Sequence, residues 1–175
     1  MLRQRNISRH SRQTAATRRG GVIILEAILC VMLLTIATVA IVEFTIVMAV
    51  DQIVTASAIA GAREAAQNTD NDDVAAKVQE YLAILGLSFS TTGTNGTDDA
   101  LVVIERQGSA DVERGNNTIP CTAAGPNTLE TNEIRVTVCF PVSNTNNRPV
   151  PNLLSTLGLD LSSHYFEVSS MSLAE

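Results

Sequence analysis

Residues 18–26 read Arg-Arg-Gly-Gly-Val-Ile-Ile-Leu-Glu, and an apolar stretch then continues almost unbroken to Val50. About 20 apolar residues are enough for a helix to cross the hydrocarbon layer of a bilayer, which is about 30 Å thick. Between Val22 and Val42 only Glu26 and two threonines interrupt the apolar residues. The stretch therefore predicts a transmembrane helix over about residues 22–50.

The threonines and the acidic residues of this stretch differ in the free-energy cost of placing them in lipid. The hydroxyls of Thr35 and Thr38 can donate to carbonyls of the preceding helical turn, so they cost little in lipid. Glu43 lies about 25 Å along a helix from Glu26, so each carboxylate lies near one membrane edge. We interpret Glu43 as an interfacial residue that reaches water. Glu26 has apolar neighbours on both sides, and charges at membrane depth are rare and usually functional.

The charge distribution predicts the orientation of the span. Six of the 12 basic residues precede Val22, all of them arginines, and no acidic residue precedes Glu26, although the whole chain carries −6. By the positive-inside rule, the amino terminus stays in the cytoplasm and the chain after about Val50 lies outside. The leader lacks aromatic residues and borders a hydrophobic span, so topology explains its charge better than nucleic-acid binding does. We therefore expect no nucleic-acid partner.

A conventional secretory signal peptide is the competing interpretation of the amino terminus. Such a signal has an apolar region of about 7–15 residues followed by small residues at the cleavage site. Residues 37–40 offer Ala-Thr-Val-Ala, but Val39 is a poor small residue and the apolar run continues to Val50. The run is thus too long for removal of a conventional signal to be the favoured interpretation.

The helical pattern continues beyond the membrane edge. Apolar or small residues recur at steps of three and four, namely Phe44, Val47, Val50, Val54, Ala58, Gly61 and Ala65, as on one face of a helix. No proline lies between Val22 and Asp73. We predict one helix over about residues 22–68. Its stripe could pack on the chain's own globular domain or on neighbouring subunits, and the sequence leaves both open.

Residues 69–175 are enough for one small domain. A helix is predicted to start within residues 70–73 and to end at Gly86. The apolar alternation predicts strands at residues 87–90, 100–106, 133–142 and 164–172, with a polar connection over 107–132 and a helical turn at 152–159. The predicted fold class is therefore α+β: a long transmembrane helix that continues outside the membrane, followed by a small antiparallel sheet domain.

The cysteines predict one disulfide. Cys121 lies in the polar connection, and Cys139 falls on the polar face of its strand. A bridge between them is permitted outside the cytoplasm and would contribute about 3 kcal/mol in the chain-entropy model. The alternative is two free thiols. Cys30 lies within the membrane run, where we interpret it as a small apolar residue.

Catalytic chemistry is not expected. The two histidines, His10 and His164, lie in the leader and at the start of a predicted strand, and no nucleophile elbow, phosphate loop or metal-ligand cluster occurs. The acidic residues at 70–73 and 98–99 suggest calcium, but the first group lacks the later ligands of a calcium loop and helix capping explains it better. We expect no enzyme activity, no metal and no cofactor.

Taken together, the features of residues 18–66 resemble a known family, the TadE-like minor pilins (pseudopilins) of the tight-adherence branch of type IV pili. The matching elements are residues 18–21, Leu25-Glu26-Ala27, Val42-Glu43-Phe44 and the block at 60–66. The resemblance implies that a prepilin peptidase cleaves between Gly21 and Val22, so that 1–21 is a leader and Glu26 becomes the fifth mature residue. Ala27 and Thr45 depart from the family pattern, in place of a frequent aromatic residue and a frequent glycine.

The resemblance also implies partners and a location. The partners are other pilin or pseudopilin subunits, the pilus assembly machinery of the bacterial inner membrane and the lipid bilayer. The carboxyl-terminal domain lies outside the cytoplasm, and the resemblance leaves open whether the chain stays in the membrane or enters a pilus. Glu26, and secondarily Glu43, would set the register of assembly, because an unpaired carboxylate in a low-dielectric bundle is penalised and the new ammonium of Val22 is one turn away. The alternative is an unprocessed, single-pass anchored protein whose outer domain binds a ligand or a protein.

Overall fold

A computed structural model describes residues 7–67, 69–122, 129–142, 149–151, 153, 155, 158, 161 and 163–174, without the side chains of residues 7–21. The chain divides into two compact units, Met1–Val42 and Glu43–Glu175. Helix α1 spans Ile7–Ala66 and contributes to both. It begins inside the predicted leader, so the helix starts earlier than we predicted. The predicted end near residue 68 falls at a position outside the described residues.

In the first unit, α1 has an apolar surface. Within the described residues, the segment Val22–Ala66 is long and apolar enough to cross a membrane, by length and composition. Its most apolar 18 residues have a mean hydropathy of 2.7, and none of them is buried within the chain. Thr35 donates to the carbonyls of Val31 and Met32, and Thr38 donates to that of Leu34 at 2.8 Å. The predicted back-bonding of both threonines is confirmed, so neither hydroxyl presents an unsatisfied donor to lipid.

In the second unit, the small-residue stripe of α1 packs on the chain's own domain. Val50, Val54, Ala58, Ala62 and Ala65 are buried in one apolar cluster with residues of a second helix and of the sheet. For this part of α1, the surface that the stripe packs on is thus the chain's own globular domain, one of the two alternatives that the sequence left open. Phe44, the first residue of the predicted stripe, remains 65% exposed and does not join the cluster.

Helix α2 spans Asn71–Leu82 and passes into a 3₁₀ turn, Ala83–Leu85. Asp70 is its N-cap residue, but no side-chain bond caps the helix; the N–H groups of Asp73 and Val74 donate to the Asp70 carbonyl instead. Gly86 ends the turn in the left-handed conformation at φ 74°, which glycine adopts without strain. The predicted helix and its end are confirmed.

The predicted strand at residues 87–90 is wrong. None of its backbone N–H groups donates to a neighbouring strand. The N–H of Leu87 donates to the Leu82 carbonyl, and the other three donate to side chains: Ser88 to Asp99, Phe89 to Gln79, and Ser90 to Asp98 at 2.6 Å. A backbone satisfied in this way has no donors left for a ladder. Asp98 and Asp99 thus fix this loop through hydrogen bonds to its backbone.

Within the described residues, four antiparallel strands form one sheet: β1 Leu101–Arg106, β2 Val112–Gly115, β3 Glu133–Pro141 and β4 Tyr165–Leu173, in the order β2-β1-β3-β4. Strands β1, β3 and β4 match predicted strands. Strand β2 was missed, because it is four residues long, contains two charged residues and lies within the stretch that we read as a polar connection. Residues 152–159, the predicted helical turn, lie mostly outside the described residues.

Both faces of the central strands are buried. Ile134, Val136, Val138 and Phe140 face the helices, as predicted from their alternation. The opposite face, which we expected to be polar, carries a second apolar cluster of Leu101, Val103, Ile119 and Cys139, with Cys121 packed against it. The reason is that the connection between β2 and β3 folds over this face. At the two edges of the sheet, β4 keeps every second side chain exposed and β2 exposes Glu113.

Gly61 allows α1 to approach the sheet closely. A Cβ atom at this position would lie 2.6 Å from Cγ2 of Val78 and 3.2 Å from Cγ1 of Val136. We expect Gly61→Val to lower the free energy of unfolding by about 1–3 kcal/mol, since overpacking displaces well-packed neighbours. Thermal unfolding of the full chain in detergent, followed by circular dichroism, measures this. Ala76→Val, at an exposed site of α2, is the control and should change stability by less than about 0.5 kcal/mol; equal effects would contradict the packing argument.

Candidate functional site

The junction between Gly21 and Val22 lies inside α1. From Val22 to Leu25 every side chain is more than 60% exposed, and Glu26 is exposed as well. Val22 and Glu26 are four residues apart on a helix, so their Cβ atoms lie about 6 Å apart on one face. The structure thus places a carboxylate one turn from the predicted new amino terminus, on an apolar and uncovered helix surface.

Glu43 does not have the exposed position that we expected. Its side chain is only 3% exposed, at the start of the unit formed by Glu43–Glu175. The interpretation that its carboxylate reaches interfacial water is therefore wrong for this structure. The physical reason is that the second unit begins here, a boundary that the apolar run does not signal. A role for Glu43 in assembly stays a prediction.

Cys121 and Cys139 form a disulfide, with a Cα–Cα distance of 5.8 Å. Cys139 is fully buried and Cys121 is half-buried beside Leu101, Val103 and Ile119. The predicted bridge is confirmed, and it ties the connection after β2 to the middle of the sheet. Cys30 is a free and exposed thiol in the first unit.

A buried ion pair, Glu105–Arg135, was missed by sequence reasoning. Glu105 is fully buried, and the Arg135 side chain is 13% exposed. Arg135 Nε donates to Glu105 Oε2 at 2.5 Å, and Nη2 donates to Oε1 at 2.9 Å. The hydrogen bond to Glu105 raises the pKa of Arg135, opposed by its partial burial. No sequence signal shows this pair, because it depends on the register that sets Glu105 opposite Arg135.

Two further arginines fasten the helices to the sheet. Arg106 donates to the carbonyls of Ala65 and Thr69 and to Asn71 Oδ1, and so binds the end of α1 and the start of α2 to β1. Arg114 donates from Nε and Nη2 to Asp72 Oδ1, at 2.9 and 2.8 Å. The bond from Arg106 to Ala65 uses a carbonyl at the end of α1 that would otherwise lack a partner within the helix. The bonds of both arginines hold the framework of the second unit and carry no chemistry of their own.

The described residues contain one group of three side chains that could hold a metal ion: Cys121, Cys139 and Glu167. Of the predicted site residues, the structure thus brings together Val22 with Glu26, and Cys121 with Cys139. The sequence gives no indication that Glu167 would join the cysteines.

Comparison with models of known protein families, with curated proteins and with solved structures finds no match for this chain.

Proposed function

We propose that this chain is a minor pilin-like subunit, a pseudopilin, that takes part in assembly of a tight-adherence type IV pilus or a related secretion filament. The observation that carries the proposal is the exposed carboxylate of Glu26, one helical turn after Val22, on the uncovered apolar part of α1 that comes directly after Gly20-Gly21. An ordinary membrane anchor gains nothing from a charge at that depth, whereas a processed subunit can use it.

The proposed chemistry begins with hydrolysis of the Gly21–Val22 peptide bond by a prepilin peptidase on the cytoplasmic side. Hydrolysis leaves a carboxylate on Gly21 and an ammonium group on Val22. That ammonium lies one turn from Glu26 of its own chain. It pairs either with that carboxylate or with Glu26 of a neighbouring subunit. In a low-dielectric bundle of helices, pairing of the two charges favours one axial register, because any other register leaves a buried charge unpaired.

The remaining features support a structural role in the same proposal. The apolar surface of α1 in the first unit suits a lipid bilayer and then contact with other subunits. The second unit is a disulfide-bonded domain, which suits the extracytoplasmic side of the bacterial inner membrane. We propose no catalytic activity, cofactor or nucleic-acid partner, and we place the leader in the cytoplasm on the charge asymmetry.

Processing tests this proposal directly. When the chain is produced together with a prepilin peptidase, intact-mass and amino-terminal analysis of the membrane fraction should find a mature chain that begins at Val22. Gly21→Val should leave the precursor uncut while membrane insertion is unchanged, since the span is kept. Gly20→Val is the matched control and should still be cleaved. A membrane-inserted chain that still begins at Met1 or Leu2 would refute processing and favour an unprocessed anchor with a binding domain.

A further inference from the structure

The register of the sheet sets Glu167 beside the disulfide. Glu167 of β4 lies directly opposite Cys139 of β3 in the antiparallel pair, so both side chains lie on the same face of the sheet. The connection after β2 brings Cys121 to the same place through its bond to Cys139. The two sulfur atoms and a Glu167 carboxylate oxygen all lie within 4.8 Å of one another.

A backbone hydrogen bond holds the Glu167 carboxylate beside the disulfide. Glu167 Oε2 accepts a hydrogen bond from the backbone N–H of Thr122, the residue after Cys121, at 3.1 Å. A metal-binding carboxylate is commonly held by such an outer hydrogen bond. Burial decreases from Cys139, which is buried, through Cys121, which is half-buried, to Glu167, which is exposed. The group therefore has a closed side within the domain and an open side toward solvent.

We propose that, when the Cys121–Cys139 bond is reduced, the two thiolates and Glu167 bind a thiophilic divalent cation of the Zn²⁺ type. In a tetrahedral site with Zn–S bonds of about 2.3 Å and Zn–O bonds of about 2.1 Å, the ligand atoms lie about 3.6–3.8 Å apart. After reduction the two sulfur atoms, which are no longer bonded to each other, separate to that distance by rotation of the cysteine side chains. Two sulfurs and one oxygen are a donor set that such ions accept, with solvent in the fourth position. The cysteine pair is thus a switch between a covalent bridge and a metal site.

The switch begins with reduction of the Cys121–Cys139 bond. A trialkylphosphine and one water reduce the disulfide to two thiols and become a phosphine oxide; a cellular dithiol would do the same and become a disulfide. Binding of the cation then displaces one proton from each thiol. In the oxidised chain both sulfurs are held in the covalent bond and are not thiolates, so the site exists only after reduction. The proposal does not rest on pilus assembly or on processing.

Cobalt binding tests the proposal in the full chain in detergent, with Cys30→Ala to remove the third thiol. After reduction with a trialkylphosphine, one Co²⁺ per chain should bind, with thiolate-to-cobalt charge-transfer absorption, and Zn²⁺ should displace it. Without the phosphine no such absorption should form. Glu167→Gln, which keeps an oxygen acceptor for Thr122, should weaken binding at least about tenfold. Glu113→Gln, at an exposed site on β2, should leave the affinity unchanged.

Two results would overturn the proposal: equal cobalt binding by the oxidised and reduced chains, or full affinity in Glu167→Gln. If reduction unfolds the domain, circular dichroism still tests the proposal. Since metal binding is coupled to folding, Zn²⁺ should then restore the spectrum of the oxidised chain. A reduced, unfolded chain that Zn²⁺ does not refold would likewise refute the site.

Discussion

Arg135→Met should lower the free energy of unfolding by about 3–5 kcal/mol, because it leaves a fully buried carboxylate without its guanidinium. Glu105 has no exposed surface, and both of its oxygens accept hydrogen bonds from Arg135. Methionine fills much of the space of the arginine stem but offers no donor. Denaturant unfolding of the full chain in detergent, under oxidising conditions that keep the disulfide, measures the change.

Matched variants separate charge from packing. The double variant Glu105→Met with Arg135→Met should recover most of the loss, since an apolar pair removes the buried charge as well. Arg114→Met breaks a pair whose aspartate, Asp72, is 41% exposed, and should cost at most about 1 kcal/mol. If Arg135→Met costs no more than Arg114→Met, the buried pair does not govern the stability of this domain.

Under the proposed function, Glu26→Ala should abolish or strongly reduce incorporation of the subunit into the assembled filament while membrane insertion is preserved. Removal of a charge from the span favours lipid, so insertion has no reason to suffer. Assembly should suffer, because the ammonium of Val22 loses its counter-charge and the subunit loses its axial register. The measurement is co-purification with pilus components at matched membrane levels. Glu26→Gln, which keeps the size and removes the charge, should behave like Glu26→Ala.

Glu43→Ala is the comparison variant for this experiment. It should reduce assembly less than Glu26→Ala does, because Glu43 is not next to the new amino terminus. Since Glu43 is buried, its variant is also checked by thermal unfolding, which separates an effect on the domain from one on assembly. If the Glu26→Ala subunit assembles like the parent, Glu26 is a tolerated interfacial acid and the unprocessed anchor becomes the better explanation.

Much of the fold could be predicted because its signals are local. A run of apolar residues is enough to predict a membrane-length helix, and the alternation at residues 133–142 is enough to predict β3. The end at Gly86 of the 3₁₀ turn that continues α2 follows from the conformations that glycine permits. The pairing of Cys121 with Cys139 was also within reach, because the second unit, as far as the structure describes it, has no third cysteine to compete for either sulfur.

The remaining features depend on contacts between distant segments, and only the tertiary structure decided them. Strand β2 exists because it pairs with β1, and its polar sequence carries no such information. The outer face of β3 is buried because a connection folds over it, which turned an expected polar face into a place for Glu105–Arg135 and the disulfide. Glu167 meets the cysteines only through the register of β4. Sequence by itself determined which segments are apolar and periodic; the pairing of those segments, which sets the burial of each charge, is a property of the folded chain.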